Sequence, residues 1–212
     1  MSRWEPNARE RLELAAMELF KLRGYTGTTV EEIASRAGLT ERTFFRYFAD
    51  KREVLFSGSA TLQKLMTDAI TGAPPGTSPL DAVAAALDAS AAALEQRDER
   101  YVRARRALVG AHAELLEREL IKLASLASAV ADALRRRGVT EPAASLTAEA
   151  AIGVFKVGFE RWLDDKKARG FSWHLRAALD ELKTVLGSGN AGAPATSRAT
   201  TPRPRRSPRA HE

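Results

Sequence analysis

Residues 40–47 read TERTFFRY, and they bring two arginines, two threonines, a tyrosine and two phenylalanines into one short stretch. These side chains suit the reading of nucleic acid. A guanidinium can bond guanine bidentately, threonine methyl and phenylalanine can touch the thymine methyl, and hydroxyls can bond phosphate oxygens. Helical spacing sorts them by face. Phe44 and Phe48 stand four apart and so point together into a core. Glu41, Arg42, Thr43, Phe45, Arg46 and Tyr47 are left on the other sides. The bland alternative is a solvated helix in which Phe45 and Tyr47 are core aromatics. One core-facing stripe does not hold three aromatics and two arginines from residues 42–47.

A helix with such a face has to be held by its neighbours, and the preceding residues supply them. Thr28 or Thr29 can cap a helix, with Glu31 and Glu32 at the three-residue spacing of a capping box. Val30, Ile33, Ala34 and Ala37 share one side of it, and Gly38 can leave it with positive φ. Leu39 then returns to the core and Thr40 caps the second helix. Two short helices at a glycine turn make a helix-turn-helix, whose second helix enters a DNA major groove. An earlier helix starts at Asn7 with Glu10, carries Leu12, Ala15, Ala16, Leu19 and Phe20 on one side, and ends near Gly24.

The rest is also helical in pattern. Asp50 is expected to cap a fourth helix through residue 70, bent at Ser57, Gly58 and Ser59. Further helices are expected after the loop 71–79, after Asp98, over 113–137, from Thr140 to about 165, and from Ser172 to 186. No strand-like alternation occurs. The expected fold is all-α with about nine helices: a three-helix head at 1–49, a helical bundle at 50–186, and a disordered basic tail at 187–212, rich in Gly, Ala, Pro, Ser and Thr.

Composition excludes several classes of function. The net charge is +6, but residues 187–212 hold +4 of it and residues 1–56 only +1, so placement and not number carries the DNA reading. Absence of cysteine rules out disulfides, thiol catalysis and thiolate metal sites. With no signal sequence and no bilayer-length apolar run, a soluble cytoplasmic protein without a membrane partner is expected. His112, His174 and His211 are far apart and none has metal-pair spacing. No GxSxG and no phosphate-cradling glycine loop is present. Neither an enzyme, a cofactor nor a metal site is expected.

Residues 9–56 resemble the TetR family of bacterial transcriptional regulators. The resemblance rests on RERLELAAMELFKLRGY followed by TTVEEIASRAGLTERTFFRYFADKREVLF; beyond residue 60 only the helical layout is similar. It implies phosphate contacts by Thr28, Thr43, Tyr47 and Lys51, and base-edge contacts by Thr40, Arg42 and Arg46. Phe45 stands where the family usually has Tyr, which removes a phosphate hydroxyl but leaves a ring to pack on sugar or a thymine methyl. The implied protein is a ligand-responsive homodimeric repressor on a palindromic double-stranded DNA operator. A rival from another class is a helical ligand- or partner-binding protein whose head does not read DNA, with Phe45 as its support.

The same resemblance implies a dimer made by the last two core helices. Ala150, Ala151, Gly153 and Gly158 on one, with Leu175, Ala178, Leu179, Leu182 and Leu186 on the next, fit that reading; by pattern alone they equally close the monomer's own core. An inducer cavity would take Phe155, Phe159 and Trp162 from these helices, with His112 as a polar group, unless all are plain core. Some TetR regulators bind acyl-coenzyme A thioesters. Arg106, with Arg97, Arg100, Arg103 and Arg105, would hold such phosphates or else form a solvated face. The implied inducer is apolar or an acyl-coenzyme A thioester.

Overall fold

The computed structural model describes residues 7–167 and 169–188. Among these there are nine α-helices and no strand: α1 (Ala8–Arg23), α2 (Val30–Arg36), α3 (Glu41–Tyr47), α4 (Ser59–Gly72), α5 (Pro79–Glu95), α6 (Glu99–Ala111), α7 (Ala113–Arg136), α8 (Ala143–Asp164) and α9 (Phe171–Ser188). The fold is all-α, as expected. Of the expected disordered tail, Gly187 and Ser188 complete α9 instead, and 189–212 lie outside the described residues.

Local chemistry starts and stops the head helices where the sequence places the signals. Asn7 Oδ1 accepts from the Glu10 N–H at 3.0 Å. Thr29, not Thr28, makes the capping box: its Oγ1 accepts from Glu32 N–H at 3.2 Å, and Glu32 accepts from Thr29 N–H at 2.9 Å. Gly38 turns the chain between α2 and α3 at φ 65°, where a side chain would be strained. A Cβ there would also meet the Arg11 guanidinium at 2.8 Å. Beneath the turn, Leu12, Ala16, Phe20, Ile33, Phe44 and Phe48 form a core in which no member is more than 3% exposed. Each large apolar side chain buried this way contributes about 1.5–3 kcal/mol.

The expected continuous fourth helix is two pieces. Asp50 does cap its start, accepting from Arg52 N–H at 2.8 Å and Glu53 N–H at 3.2 Å, but the chain first makes a 3₁₀ turn at Glu53–Phe56. It then breaks at Ser57 and Gly58 before α4 begins. The break falls at the weak helix formers that were expected to bend it, and Val54, Leu55 and Phe56 just before it are all buried in the head core.

A second core joins α4 to α9, with Met66, Ile70, Val83, Val130 and Leu134 fully buried. Two caps differ from expectation. The Thr140 side chain does not cap α8, which starts after Pro142 with the Glu141 carboxylate accepting from Ser145 N–H at 3.3 Å. Ser172 lies inside α9 instead of capping it, and its N–H is taken by the Glu95 carboxylate of α5 at 2.8 Å. A free N–H at a helix start needs an acceptor, and a distant carboxylate suits that positive end.

The pairing of α8 with α9 inside one monomer depends on Gly158, where a Cβ would stand 2.7 Å from Leu175 Cδ2 and 3.2 Å from its Cα. Leu175, Ala178 and Leu179 are buried within the monomer. Leu186, expected in that stripe, is 67% exposed. Leu146 and Val157 of α8 and Trp173 and Val185 of α9 are exposed too, leaving an apolar outer face on the last two helices.

Candidate nucleic-acid interface and ligand cavity

On α3 the buried Phe44 and Phe48 anchor the helix, and their rings meet at 5.4 Å. Phe45 stands edge-on to Phe44 at 5.5 Å while remaining 54% exposed. Glu41, Arg42, Arg46 and Tyr47 are exposed beside it, and Thr43 is half-buried. The Arg46 guanidinium donates to the Tyr47 hydroxyl at 3.1 Å and lies 5.0 Å from its ring centre, so the two form one exposed polar plate. Arg42 makes no ion pair among the described residues. Its donors are therefore available to a base edge.

Other residues expected at DNA have partners within the head. Thr40 Oγ1 accepts from Thr43 N–H at 3.2 Å and lies 3.1 Å from Thr43 Oγ1, capping α3 while staying exposed. Thr28 is 1% exposed, and its hydroxyl donates to the Gly24 carbonyl at 2.9 Å. It braces the turn after α1 instead of facing outward. Lys51 Nζ donates to the carbonyls of Tyr25 at 2.9 Å and Thr28 at 3.0 Å, and sits 4.3 Å from the Tyr25 ring centre. An ammonium has three N–H donors, so one remains.

Sequence periodicity gave no sign of what holds this head to the bundle. Val109 at the end of α6 and Leu115 at the start of α7 are fully buried in the head core. His112 joins these helices, and its ring meets Tyr25 at 5.1 Å. Burial, with the negative charge of Glu114, pushes the Tyr25 hydroxyl up to about 12, so it stays protonated. On the other side of the 3₁₀ turn, Glu53 receives Lys122 Nζ at 3.0 Å and the Arg118 guanidinium. Burial alone would raise the Glu53 carboxyl, but bonds from Lys122 and Arg118 outweigh it and hold it below its ordinary value. Arg105 Nε donates to the Leu55 carbonyl at 2.6 Å, and its guanidinium pairs with Glu119 at 3.1 Å.

Below this junction lies a cavity of about 730 Å³ between α4, α5, α6, α7 and α8. Leu62, Leu65, Leu123, Phe155 and Phe159 line it, together with Leu55 and Phe56 of the 3₁₀ turn. Leu116 and Leu120 of α7, 40% and 51% exposed, are wall residues of the same space. Arg97, Arg105, Arg106, Lys122 and Lys156 supply positive charge to the wall, against Glu119 and Glu160. Arg106, Phe155 and Phe159 are thus brought together as expected ligand residues, with Arg106 paired to Glu160 at 3.3 Å.

Two expected ligand residues are elsewhere. Trp162 packs into the core behind Phe159, at 6.0 Å between rings, and against Phe171 at 5.2 Å. His112 belongs to the α6–α7 elbow and not to the cavity wall, because its ring packs at a tilt against Tyr25. Arg103 pairs with Glu99 and donates to the Leu163 carbonyl, which is a structural use. Among the described residues no three His, Asp or Glu groups are placed to hold a metal, and no helix is long and apolar enough to cross a membrane.

Comparison with known proteins agrees with this geometry. The profile for bacterial regulatory proteins of the tetR family matches residues 14–57, and the profile for the MftR C-terminal domain matches residues 77–187. The HTH-type transcriptional regulator TcmR of Streptomyces glaucescens is 40% identical over 81 residues, covering 38% of this chain and 36% of that protein. A Mycobacterium tuberculosis protein described as the mycofactocin biosynthesis transcriptional regulator MftR is 28% identical over 177 residues, covering 82% of this chain and 86% of its own. Among solved structures, Bacillus subtilis FadR in complex with stearoyl-CoA superposes with a TM-score of 0.57 at 17% identity, over 81% of this chain and 96% of that one. That last similarity carries the fold alone. The chain belongs to the TetR family of bacterial regulatory proteins and is a DNA-binding transcriptional regulator.

Proposed function

We propose that this regulator is a homodimeric repressor that holds a palindromic operator until a long apolar ligand fills the cavity. The observation that carries the reading is that Leu55 and Phe56 belong at once to the head core and to the cavity wall. A ligand that repacks one wall therefore disturbs the seat of α3. A cavity of about 730 Å³ suits a small molecule, and its leucine and phenylalanine lining favours an acyl chain. The Bacillus subtilis FadR structure of the same fold holds stearoyl-CoA, a ligand of this class.

Residues 1–49 act as the reading unit and 50–186 as the sensing and dimerising unit. Arg42 and Arg46 read base edges, Tyr47 and Thr43 bond phosphates, and Phe45 packs on sugar or a thymine methyl. Thr40 acts mainly as the cap that orders this face, and Lys51 offers phosphate only its remaining N–H. The exposed apolar face of α8 and α9 meets its copy about a two-fold axis, which demands a two-fold operator. Occupying a promoter in this way blocks it, hence repression.

The test is a mobility shift with purified protein on the DNA upstream of its own gene, with unrelated DNA as competitor. A specific, salt-sensitive complex that dissolves on adding a long-chain acyl-coenzyme A supports the proposal. A complex that withstands every such thioester removes the acyl ligand while leaving the DNA reading intact.

A further inference from the structure

We infer that the cavity is read for charge: an anionic head on its apolar ligand releases the operator by drawing Lys122 and Arg105 away from the 3₁₀ turn. This rests on the cavity being the inducer site. Its basis is a double use of two cations. Lys122 and Arg105 both line the cavity, and both fasten the turn whose side chains complete the head core. Lys122 Nζ holds the Glu53 carboxylate at 3.0 Å, and Arg105 Nε holds the Leu55 carbonyl at 2.6 Å.

Charge at this corner favours an arriving anion. Arg105, Arg118 and Lys122 face two carboxylates, Glu53 and Glu119, which leaves one positive charge unmatched. The pair is sheltered, with the Glu53 side chain 17% exposed and that of Lys122 29%, so salt screens it less than a surface pair. A carboxylate or phosphate entering beside Lys122 satisfies the surplus and repels Glu53, which keeps Arg118 alone. A neutral ligand of equal length fills the same apolar space and leaves the bonds in place. Such a ligand presses on Leu55 and Phe56 but leaves the turn fastened, so its differential interaction with the two states, and the shift it causes, is the smaller one.

By linkage, the anion and Glu53 compete, so removing the Glu53 charge must tighten anion binding and weaken operator binding together. The experiment uses the full chain with fluorescent operator DNA and three probes of one chain length: laurate, lauroyl-coenzyme A and 1-dodecanol. Binding of each probe is followed by calorimetry, and operator affinity is measured with and without it. Laurate or lauroyl-coenzyme A should lower operator affinity by about 5–150-fold, while dodecanol binds and changes it less than about twofold. Response to laurate alone assigns the corner to a carboxylate, and response to the thioester alone assigns it to phosphates.

In Lys122→Gln the ratio of operator affinities without and with anion should collapse toward one. In Glu53→Gln, shown folded by circular dichroism, the anion should bind tighter than to the wild type. Equal release by dodecanol and the anions, or an undiminished ratio in Lys122→Gln, would overturn the inference while sparing the cavity as the inducer site. If none of the probes binds, both fall.

Discussion

Lys51 gives the sharpest contrast between what the family pattern implies and what the structure assigns. Its ammonium bonds the carbonyls of Tyr25 and Thr28 and lies over the Tyr25 ring, at the point where α1, the turn into α2 and the segment after α3 meet. Lys51→Met keeps most of the aliphatic stem and deletes the charge. A charged hydrogen bond is worth about 1.5–3 kcal/mol net and a cation–π contact about 0.5–2 kcal/mol. The site is half-buried, so the low end of each applies. Subtracting the rotamer entropy of an ordered lysine, up to about 2 kcal/mol, leaves a loss on the order of 2 kcal/mol. For a chain of this size that lowers Tm by about 4–8 °C. Thermal unfolding followed by circular dichroism, without DNA, reads it directly. A variant that melts with the wild type would refute the role of Lys51 as a pin and return it to the surface as a simple phosphate contact.

Other expectations follow from the same geometry. Asp165 accepts from Arg169 Nε at 2.8 Å, Lys167 N–H at 2.7 Å and His174 Nε2 at 3.0 Å. The Arg169 bond above all, then that of Lys167, drives its carboxyl well below the ordinary value of 3.8. A depressed folded value stabilises above the unfolded value and is lost as pH falls through the folded one. Asp165→Asn should therefore melt below the wild type at neutral pH, with a gap that narrows once pH drops under about 3.8; a gap independent of pH would exclude the ion pair as its source. Val157→Glu puts a charge on the exposed face of α8, and like charges meeting across a two-fold axis should raise the dimer dissociation constant at least about 100-fold. Light scattering that still reports a dimer at low concentration would place the interface elsewhere.

What the sequence disclosed was whatever lies within a few residues of its cause. The Thr29 and Glu32 capping box, the Phe44 and Phe48 pair and the Gly38 turn are local, and each is legible from spacing. Hidden were the contacts that close over long separations. Glu53 and Lys122 stand 69 positions apart, and Ser172 finds its acceptor in Glu95, 77 positions back. Periodicity also fails to distinguish a core from a cavity wall, since Leu116 and Leu120 repeat as core residues do. Ser57 and Gly58 were the sequence signal that the fourth helix would not run straight, and the break falls on them. Thr28 and Lys51 mislead for a related reason: a hydroxyl or ammonium near a DNA face can bond the protein's own carbonyls just as well.

The most direct measurement for the central claim is selection from random double-stranded DNA with the wild type and Arg42→Ala in parallel. The wild type should enrich an inverted repeat whose half-site centres lie one helical turn, or a multiple, apart. Arg42 is exposed and without an ion pair among the described residues, so its loss should leave stability within about 0.5 kcal/mol while costing about 1–3 kcal/mol of operator affinity and relaxing one position in each half-site. Enrichment of the same repeat by both proteins with equal affinity, or of no repeat by either, would contradict the assignment of α3 as the reading helix.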